Sequence, residues 1–377
     1  MRKVFLDNAA TTPIAPEIIE LIGEMMHKNH GNPSSVHSFG RESKIIVEKA
    51  RKNISHLLNT SPGNIFFTSG GTEADNMAIN CAVDNYKIEE AITSKISHHA
   101  VLYPLESLKD QGKINLSYID IDKDGVISLS HLEKILENNP RTFVSIMHAN
   151  NEIGTIQPLK EIGEICKKYN AIFHSDTVQT MGHFPFNMQE LNVHFMAASA
   201  HKFHGPKGVG FIYISEDTPI KPMILGGAQE RNMRAGTENV IGIAALAMAM
   251  ELAYNNLEKD MNYIKDIKSY MILRLKTEFP NIGFYGKCED IDNSLYNVLS
   301  IHLPEELSHE MLLFNLDIMG VACSGGSACA SGGQKGSHVF SAIMPESKRL
   351  GIRFSFSKYT TKDEIDYTIN KLKELSN

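Results

Sequence analysis

In SAHKFHGPKGVGF, residues 199–211, a lysine stands between two histidines at the end of an apolar run and ahead of a glycine-rich turn. That is a poor place for a purely solvated amine. Lysine condenses with carbonyl compounds to form Schiff bases, and its pKa falls readily once it is desolvated. Lys202 is therefore a candidate nucleophilic amine, weighed against an ordinary lysine at a strand end. Upstream, HSDTVQ at 174–179 sets Asp176 at the end of another apolar run, and open α/β sheets gather ligands at the carboxyl edge of their strands. A carboxylate buried there is costly unless it meets a cation. The plain alternative for Asp176 is a helix cap.

A pyridinium nitrogen is one such cation. An Asp partner to that nitrogen recurs in enzymes that hold pyridoxal phosphate as a Schiff base on lysine, and Gln179, three residues on, is spaced to reach the cofactor's phenolic oxygen. A phosphate also needs a cradle. TSGGTEADNMAIN at 68–80 reads as a strand, two glycines, a threonine and then helical periodicity, and a helix N-terminus offers unpaired N–H groups and partial positive charge to an anion. A capping box reads much the same. In TSKISHHAVL, His98 and His99 are both candidates for a ring that stacks on a pyridine face or moves protons near neutral pH; local sequence does not choose between them. GPKGVG at 205–210 lacks the order of a dinucleotide fingerprint.

A second reactive group lies in VACSGGSACASGGQKGSH, residues 321–338, where Cys323 and Cys329 sit six positions apart among small residues. Such a segment offers little apolar surface to a core, and its glycines lose the most backbone entropy on ordering. It reads as a mobile loop that presents a thiol. Cys323 directly follows the apolar run IMGVA, which marks it as the structural cysteine and Cys329 as the reactive one.

The chain has 377 residues and a formal charge of 37 − 44 = −7, with no basic stripe for nucleic acid and no polybasic patch for a membrane. No apolar run reaches the roughly 18–20 residues that span a bilayer, and MRKVFLDNAATTP lacks a signal-peptide core. A cytoplasmic protein is expected. Five cysteines without a CxxC pair fit neither a disulfide framework nor a zinc site, so no metal is expected. DIDKDGVISLSH at 120–131 begins like a calcium loop, but His131 stands where a bidentate Glu belongs; a polar turn leading into a helix is expected instead.

Behind these residues the pattern alternates. Helical spacing over 42–58 and 158–169, with short apolar runs at 142, 171, 195 and 209, implies a mainly parallel sheet covered by helices. Beyond about residue 255 come a long charged helix, strands around NVLSIHL and GIRFSF, a helix near 306–317 and a last helix from Asp363. That order is α+β in character. The division expected is a large unit over 15–255 and a smaller one from 1–14 and 256–377, the latter carrying the cysteine loop at about 323–337.

Taken together, LDNAATTP, GNPSSVH, FTSGGTEADN, TSKISHHAVL, SIMHANNEIG, HSDTVQ, SAHKFHGPKGVG, MRAGTEN, SGGSACASG and IRFSFSKYTTKDEID resemble the cysteine desulfurases of the NifS/IscS type. The resemblance implies the aspartate aminotransferase-like fold (fold type I), with a seven-stranded sheet, and pyridoxal 5'-phosphate as cofactor. It implies Lys202 as the Schiff-base lysine, Asp176 as the pyridinium partner, Gln179 at the phenolic oxygen and His98 as the stacked ring. Gly71, Thr72, Ser199 and His201 correspond to phosphate ligands, with Thr237 supplied across a homodimer. Asn151 and Arg353 correspond to the holders of the substrate carboxylate, and Cys329 to the thiol that takes sulfur from L-cysteine as a persulfide, leaving alanine. The implied acceptor is an iron–sulfur scaffold or a sulfurtransferase. The segment here, SGGSACASGGQKGS, departs from the commoner SSGSACTS, Cys323 is additional, and no scaffold-docking tail is expected beyond KLKELSN. An aminotransferase or selenocysteine lyase of the same fold would share Lys202 and Asp176 without needing Cys329, and a non-catalytic adaptor for a sulfur acceptor would need neither Lys202 nor Asp176.

Overall fold

The computed structural model describes residues 2–139, 141–218, 220–303, 311–325, 337–345 and 351–376. A short strand, β1 (Val4–Phe5), opens the chain. Seven further strands then build the central sheet: β2 (Ile65–Thr68), β3 (Glu90–Ser94), β4 (Asn115–Ile119), β5 (Thr142–Ser145), β6 (Ile172–Asp176), β7 (Phe195–Ser199) and β8 (Gly210–Ile214). Their order is β2-β8-β7-β6-β5-β3-β4. β8 is antiparallel to both its neighbours, and the pairs from β7 through β6, β5 and β3 to β4 are parallel.

Both faces of this sheet are buried, and side chains alternate between them with the period of two that a pleated strand imposes. Val144, Phe173, Met196 and Phe211 enter a core shared with Val47, Ile54 and Leu246 of the Ser38–Leu57 and Val240–Asn255 helices. Phe143, Phe195 and Ile212 point the other way, against Met77 and Ile79 of the Gly71–Tyr86 helix and Val101 and Leu105 of the His99–Asp110 helix. Parallel strands must be covered on both sides because their crossovers run over the faces, which explains why these runs read as continuously apolar.

The remaining strands are β9 (Gly283–Phe284), β10 (Val298–His302), β11 (Val321–Ala322) and β12 (Gly351–Ser355). An antiparallel sheet of order β12-β10-β9 packs with the Leu257–Glu278 and Lys362–Ser376 helices around Ile267, Met271, Leu299, Phe354, Ile365 and Ile369. Val4 and Leu6 share this core, and β1 pairs in parallel with β11. The helix expected near 306–317 runs from Leu312 to Ile318, with 304–310 outside the described residues. At the calcium-like stretch, Asp122 Oδ1 accepts from the N–H groups of Asp124 (2.9 Å) and Val126 (2.8 Å), and Ser128 caps the Leu129–Asn138 helix. It is a polar turn.

Candidate active site

The carboxyl ends of β2, β3, β5, β6 and β7 open onto one cavity of about 330 Å3, enough for a small cofactor with part of its substrate. Gly71 and Thr72 reach it from the turn after β2, His98 and His99 from the segment after β3, Met147, Asn151 and Glu152 from beyond β5, Asp176, Val178 and Gln179 from the end of β6, and Ser199, His201 and Lys202 from the end of β7. Ala9 and Ala10 close it from the N-terminal segment, Arg353 from β12, and His338 completes the wall.

Lys202 ends a single 3-10 turn, Ala200–Lys202, that follows β7 directly. Its ammonium donates to the carbonyls of Ala9 (2.7 Å) and Ala10 (3.0 Å). Gln179 Nε2 donates to the same Ala9 carbonyl at 3.0 Å. The turn itself is braced from behind: His183 bonds the Lys202 carbonyl through Nε2 at 3.0 Å and the Tyr296 hydroxyl through Nδ1 at 2.8 Å. Asp176 is buried, and its Oδ1 accepts from the Val178 N–H at 2.9 Å. The carboxylate closes a local turn; the helix cap proposed as its plain alternative is not what is seen.

The two histidines separate by geometry. His98 is the N-cap of the His99–Asp110 helix, its Nδ1 accepting from the Ala100 N–H at 3.1 Å, so the neutral ring carries its proton on Nε2. Burial lowers its pKa, Asp176 pulls it back up, and Lys202, His99 and His338 push it down again. His99 instead lies flat against Tyr103, with ring centroids 4.6 Å apart, and beside His338 at 4.5 Å.

Behind Asp176 sits a pair that the motifs do not announce. His174, two residues earlier on β6 and so on the same face, places Nε2 3.2 Å from Asp75 Oδ1 and Nδ1 2.9 Å from Ser145 Oγ. Burial, and then the charge of Asp176, hold Asp75 well above the usual carboxylate range, while burial pushes His174 down to about 3.

Arg353, on the part of the wall supplied by β12, is 1% exposed. Nη2 donates to Asp7 Oδ1 at 2.7 Å and Nη1 to the Asn151 carbonyl at 3.0 Å. Glu152 lies alongside, bonded to Ser337, with its pKa raised by burial and lowered by Ser337, Arg353 and His99.

Residues 4–368 match the class-V aminotransferase family. A cysteine desulfurase IscS of Dictyoglomus turgidum is 42% identical over 99% of this chain and 94% of its own length. A putative cysteine desulfurase IscS 1 of Bacillus subtilis is 40% identical over 97% and 96%. A solved NifS-like protein superposes with a TM-score of 0.90 at 36% identity, covering 99% of both chains. The chain belongs to the class-V aminotransferase family.

Enzymes of this family work with pyridoxal 5'-phosphate, and the cavity fits that group. A side chain at Gly71 would bring its Cβ within 2.5 Å of Val178 Cγ2, so the helix N-terminus is kept bare where a phosphate would approach. Gly70, before it, has φ of 152°, outside the range that side chains tolerate. Ser199 is buried against this turn. His201, its pKa pushed down to about 4 by burial and by Lys202 and Lys207, stands 3.2 Å from Thr11 Oγ1. On the same wall Asp176 presents a buried carboxylate that suits a protonated ring nitrogen.

Of the site residues expected in this class-V chain, Gly71, Thr72, His98, Asn151, Asp176, Gln179, Ser199, His201, Lys202 and Arg353 all line the cavity. Thr237 does not; it is exposed. Cys329 lies outside the described residues. Cys323 follows β11, half-buried, with its thiol pushed up to about 12 by desolvation and then by Asp7. Sequence reasoning did not single out Asp7, Asp75, Glu152, His174 or His338. Asp7 stands in LDNAATTP and His174 two places before Asp176, and the same-face spacing of His174 was a usable signal.

Proposed function

We propose that the enzyme is a pyridoxal-phosphate-dependent cysteine desulfurase that converts L-cysteine to L-alanine and retains the sulfur as a persulfide on Cys329. The observation that carries this reading is the convergence of Lys202, Asp176, His98 and Arg353 on one cavity at the strand ends. When bound, the cofactor supplies the electron sink that steadies negative charge on the amino acid's carbon. Lys202 would hold the cofactor's carbonyl carbon, and its amine would carry protons at the reacting carbon. Asp176 would partner the ring nitrogen and Gln179 the phenolic oxygen. His98 would hold the ring, its imidazole presenting Nε2–H. Gly71, Thr72, Ser199 and His201 would hold the phosphate.

Asn151 and Arg353 take the substrate's carboxylate, a task that suits a planar guanidinium because it meets two oxygens with two parallel N–H groups. In the sulfur step the Cys329 thiolate attacks the substrate sulfur. A sulfur–sulfur bond forms, the carbon–sulfur bond breaks, and the carbon takes a proton to become alanine. Sulfur then passes to an acceptor protein, which we take to be an iron–sulfur scaffold or a sulfurtransferase of the cytoplasm. We further propose a homodimer in which the partner subunit's Thr237 completes the phosphate site; the exposure of Thr237 outside its own chain's cavity supports this.

The test is direct. Purified protein loaded with cofactor is expected to be yellow and, with a reductant present, to form alanine and sulfide in equal amounts from L-cysteine. Formation of the keto acid in place of alanine would assign the site to an aminotransferase.

A further inference from the structure

A guanidinium as buried as that of Arg353 needs both a counter-charge and filled hydrogen-bond geometry. The counter-charge and the acceptors for the two terminal nitrogens come from the N-terminal segment and the turn after β5, while the buried Nε has no partner among the described residues. Asp7 Oδ1 accepts from Arg353 Nη2 at 2.7 Å and from Ser324 Oγ at 2.7 Å, and the Asn151 carbonyl accepts from Nη1 at 3.0 Å. The main chain repeats the same connections. Arg353 N–H donates to the Ser324 carbonyl at 2.7 Å, Ser324 N–H returns a bond at 3.1 Å, and Ser355 N–H donates to the Leu6 carbonyl at 2.8 Å. Three segments far apart in the chain thus meet at one carboxylate oxygen.

Each terminal nitrogen of a guanidinium carries two hydrogens. One on Nη1 and one on Nη2 are committed to fixed acceptors, and turning the plane about its axis breaks both bonds together. Among the described residues the second hydrogen on each nitrogen has no acceptor, which leaves that pair for a ligand. Two acceptors on separate segments therefore fix the orientation of the plane on the cavity wall.

We propose that Asp7 is a positioning residue for the substrate's carboxylate, acting through Arg353: its Oδ1 sets the guanidinium plane so that the remaining N–H pair meets two carboxylate oxygens. This rests on the reading of Arg353 given above. Asp7 also sets a negative charge near an anionic ligand, and that repulsion works against binding. The structure lets the two effects be separated, because an amide at position 7 keeps an acceptor oxygen for Nη2 and Ser324 while losing the charge.

The experiment compares L-cysteine with cysteamine, which lacks the carboxylate, in the cofactor-loaded enzyme carrying Asp7→Ala, Asp7→Asn or Arg353→Ala. Binding without turnover is read separately, from the cofactor's absorbance on titration with L-alanine and with ethylamine. Asp7→Ala is expected to raise KM for L-cysteine about tenfold, with kcat within about threefold, and to weaken L-alanine by a similar factor while leaving cysteamine and ethylamine unchanged. That factor corresponds to about 1.4 kcal/mol. Asp7→Asn is expected to recover most of the loss. If both variants tighten L-alanine, or if Asn behaves as Ala does, orientation by the acceptor oxygen is wrong. Equal weakening of both amines, with a lowered melting temperature, would reduce Asp7 to a packing role and also overturn the proposal. If Arg353→Ala leaves the preference for L-cysteine over cysteamine intact, the reading of Arg353 fails; if it abolishes the preference and Asp7→Ala does not, only the role of Asp7 fails.

Discussion

Lys202 Nζ lies 2.7 Å from the carbonyl oxygen of Ala9, across 193 positions of sequence. The amine is therefore held by the N-terminal segment as well as by its own strand, and Gln179 is drawn to the same oxygen. A free amine cannot be replaced here by a methyl group without losing both the attachment point and the proton carrier. Lys202→Ala is expected to lower kcat by at least about a thousandfold while retaining some cofactor through the phosphate contacts. Borohydride treatment of the loaded wild type should fix the cofactor to the peptide containing Lys202. A label on any other lysine would show that the amine has been misassigned.

Asp176→Asn tests the buried charge. The amide preserves volume and can keep the bond from the Val178 N–H, but it cannot balance a protonated ring nitrogen. Removing one partner of a buried charged pair costs about 3–5 kcal/mol, which corresponds to a rate loss of roughly 10²- to 10⁴-fold if the pair is used in the transition state. Circular dichroism should be unchanged. Near-normal turnover in this variant would mean that the ring nitrogen is balanced by some other group.

Stability should fall on mild acidification. Burial, the largest cause in each case, pushes His148, His201 and His204 down to about 4 and His174 to about 3, below the value of about 6.5 expected in the unfolded chain. Between those limits the unfolded chain binds protons that the folded one does not, so stability is fully present above about pH 6.5 and is lost as pH falls toward 4. Asp75 and Glu152, raised mainly by burial, act in the opposite sense, but they are two against four. Urea midpoints at pH 7.5 and pH 5 should show the lower value at pH 5; an equal or higher midpoint there would contradict this account of the buried histidines.

Shared sites can be tested by complementation. Mixed dimers of a Lys202→Ala chain with a Thr237→Ala chain should regain activity, because one of their two sites then has both residues intact. Verified heterodimers that stay inactive would place Thr237 in its own subunit's site or in none.

The frame of the site was legible in the sequence because strand ends leave a local signature: Asp176 and Lys202 each terminate an apolar run, and Gly70 and Gly71 separate a strand from a helix. The N-terminal contributions were less legible, since Ala9 and Ala10 act through backbone carbonyls that carry no residue-type signal. Asp7 stands just past a short strand with no local signal of its own; the pairing of β1 with β11 and the placement of β12 bring it to Arg353. The Asp75–His174 pair depends on how the Gly71–Tyr86 helix sits on the sheet, a tertiary relationship that spacing along one element does not encode. His98 and His99 are adjacent in sequence and become distinct only when the helix cap fixes one ring and aromatic stacking the other.

The central claim is that sulfur leaves the substrate onto Cys329, and mass spectrometry of peptides after brief incubation with L-cysteine, before any reductant is added, tests it most directly. Cys323, with its thiol held at about 12 by burial and by Asp7, is a poor competitor at neutral pH. The expected result is one additional sulfur on the Cys329 peptide, matched by an equal amount of alanine, with Cys329→Ser binding cofactor and L-cysteine but forming neither product. Added sulfur on the Cys323 peptide, or full turnover by Cys329→Ser, would contradict the claim.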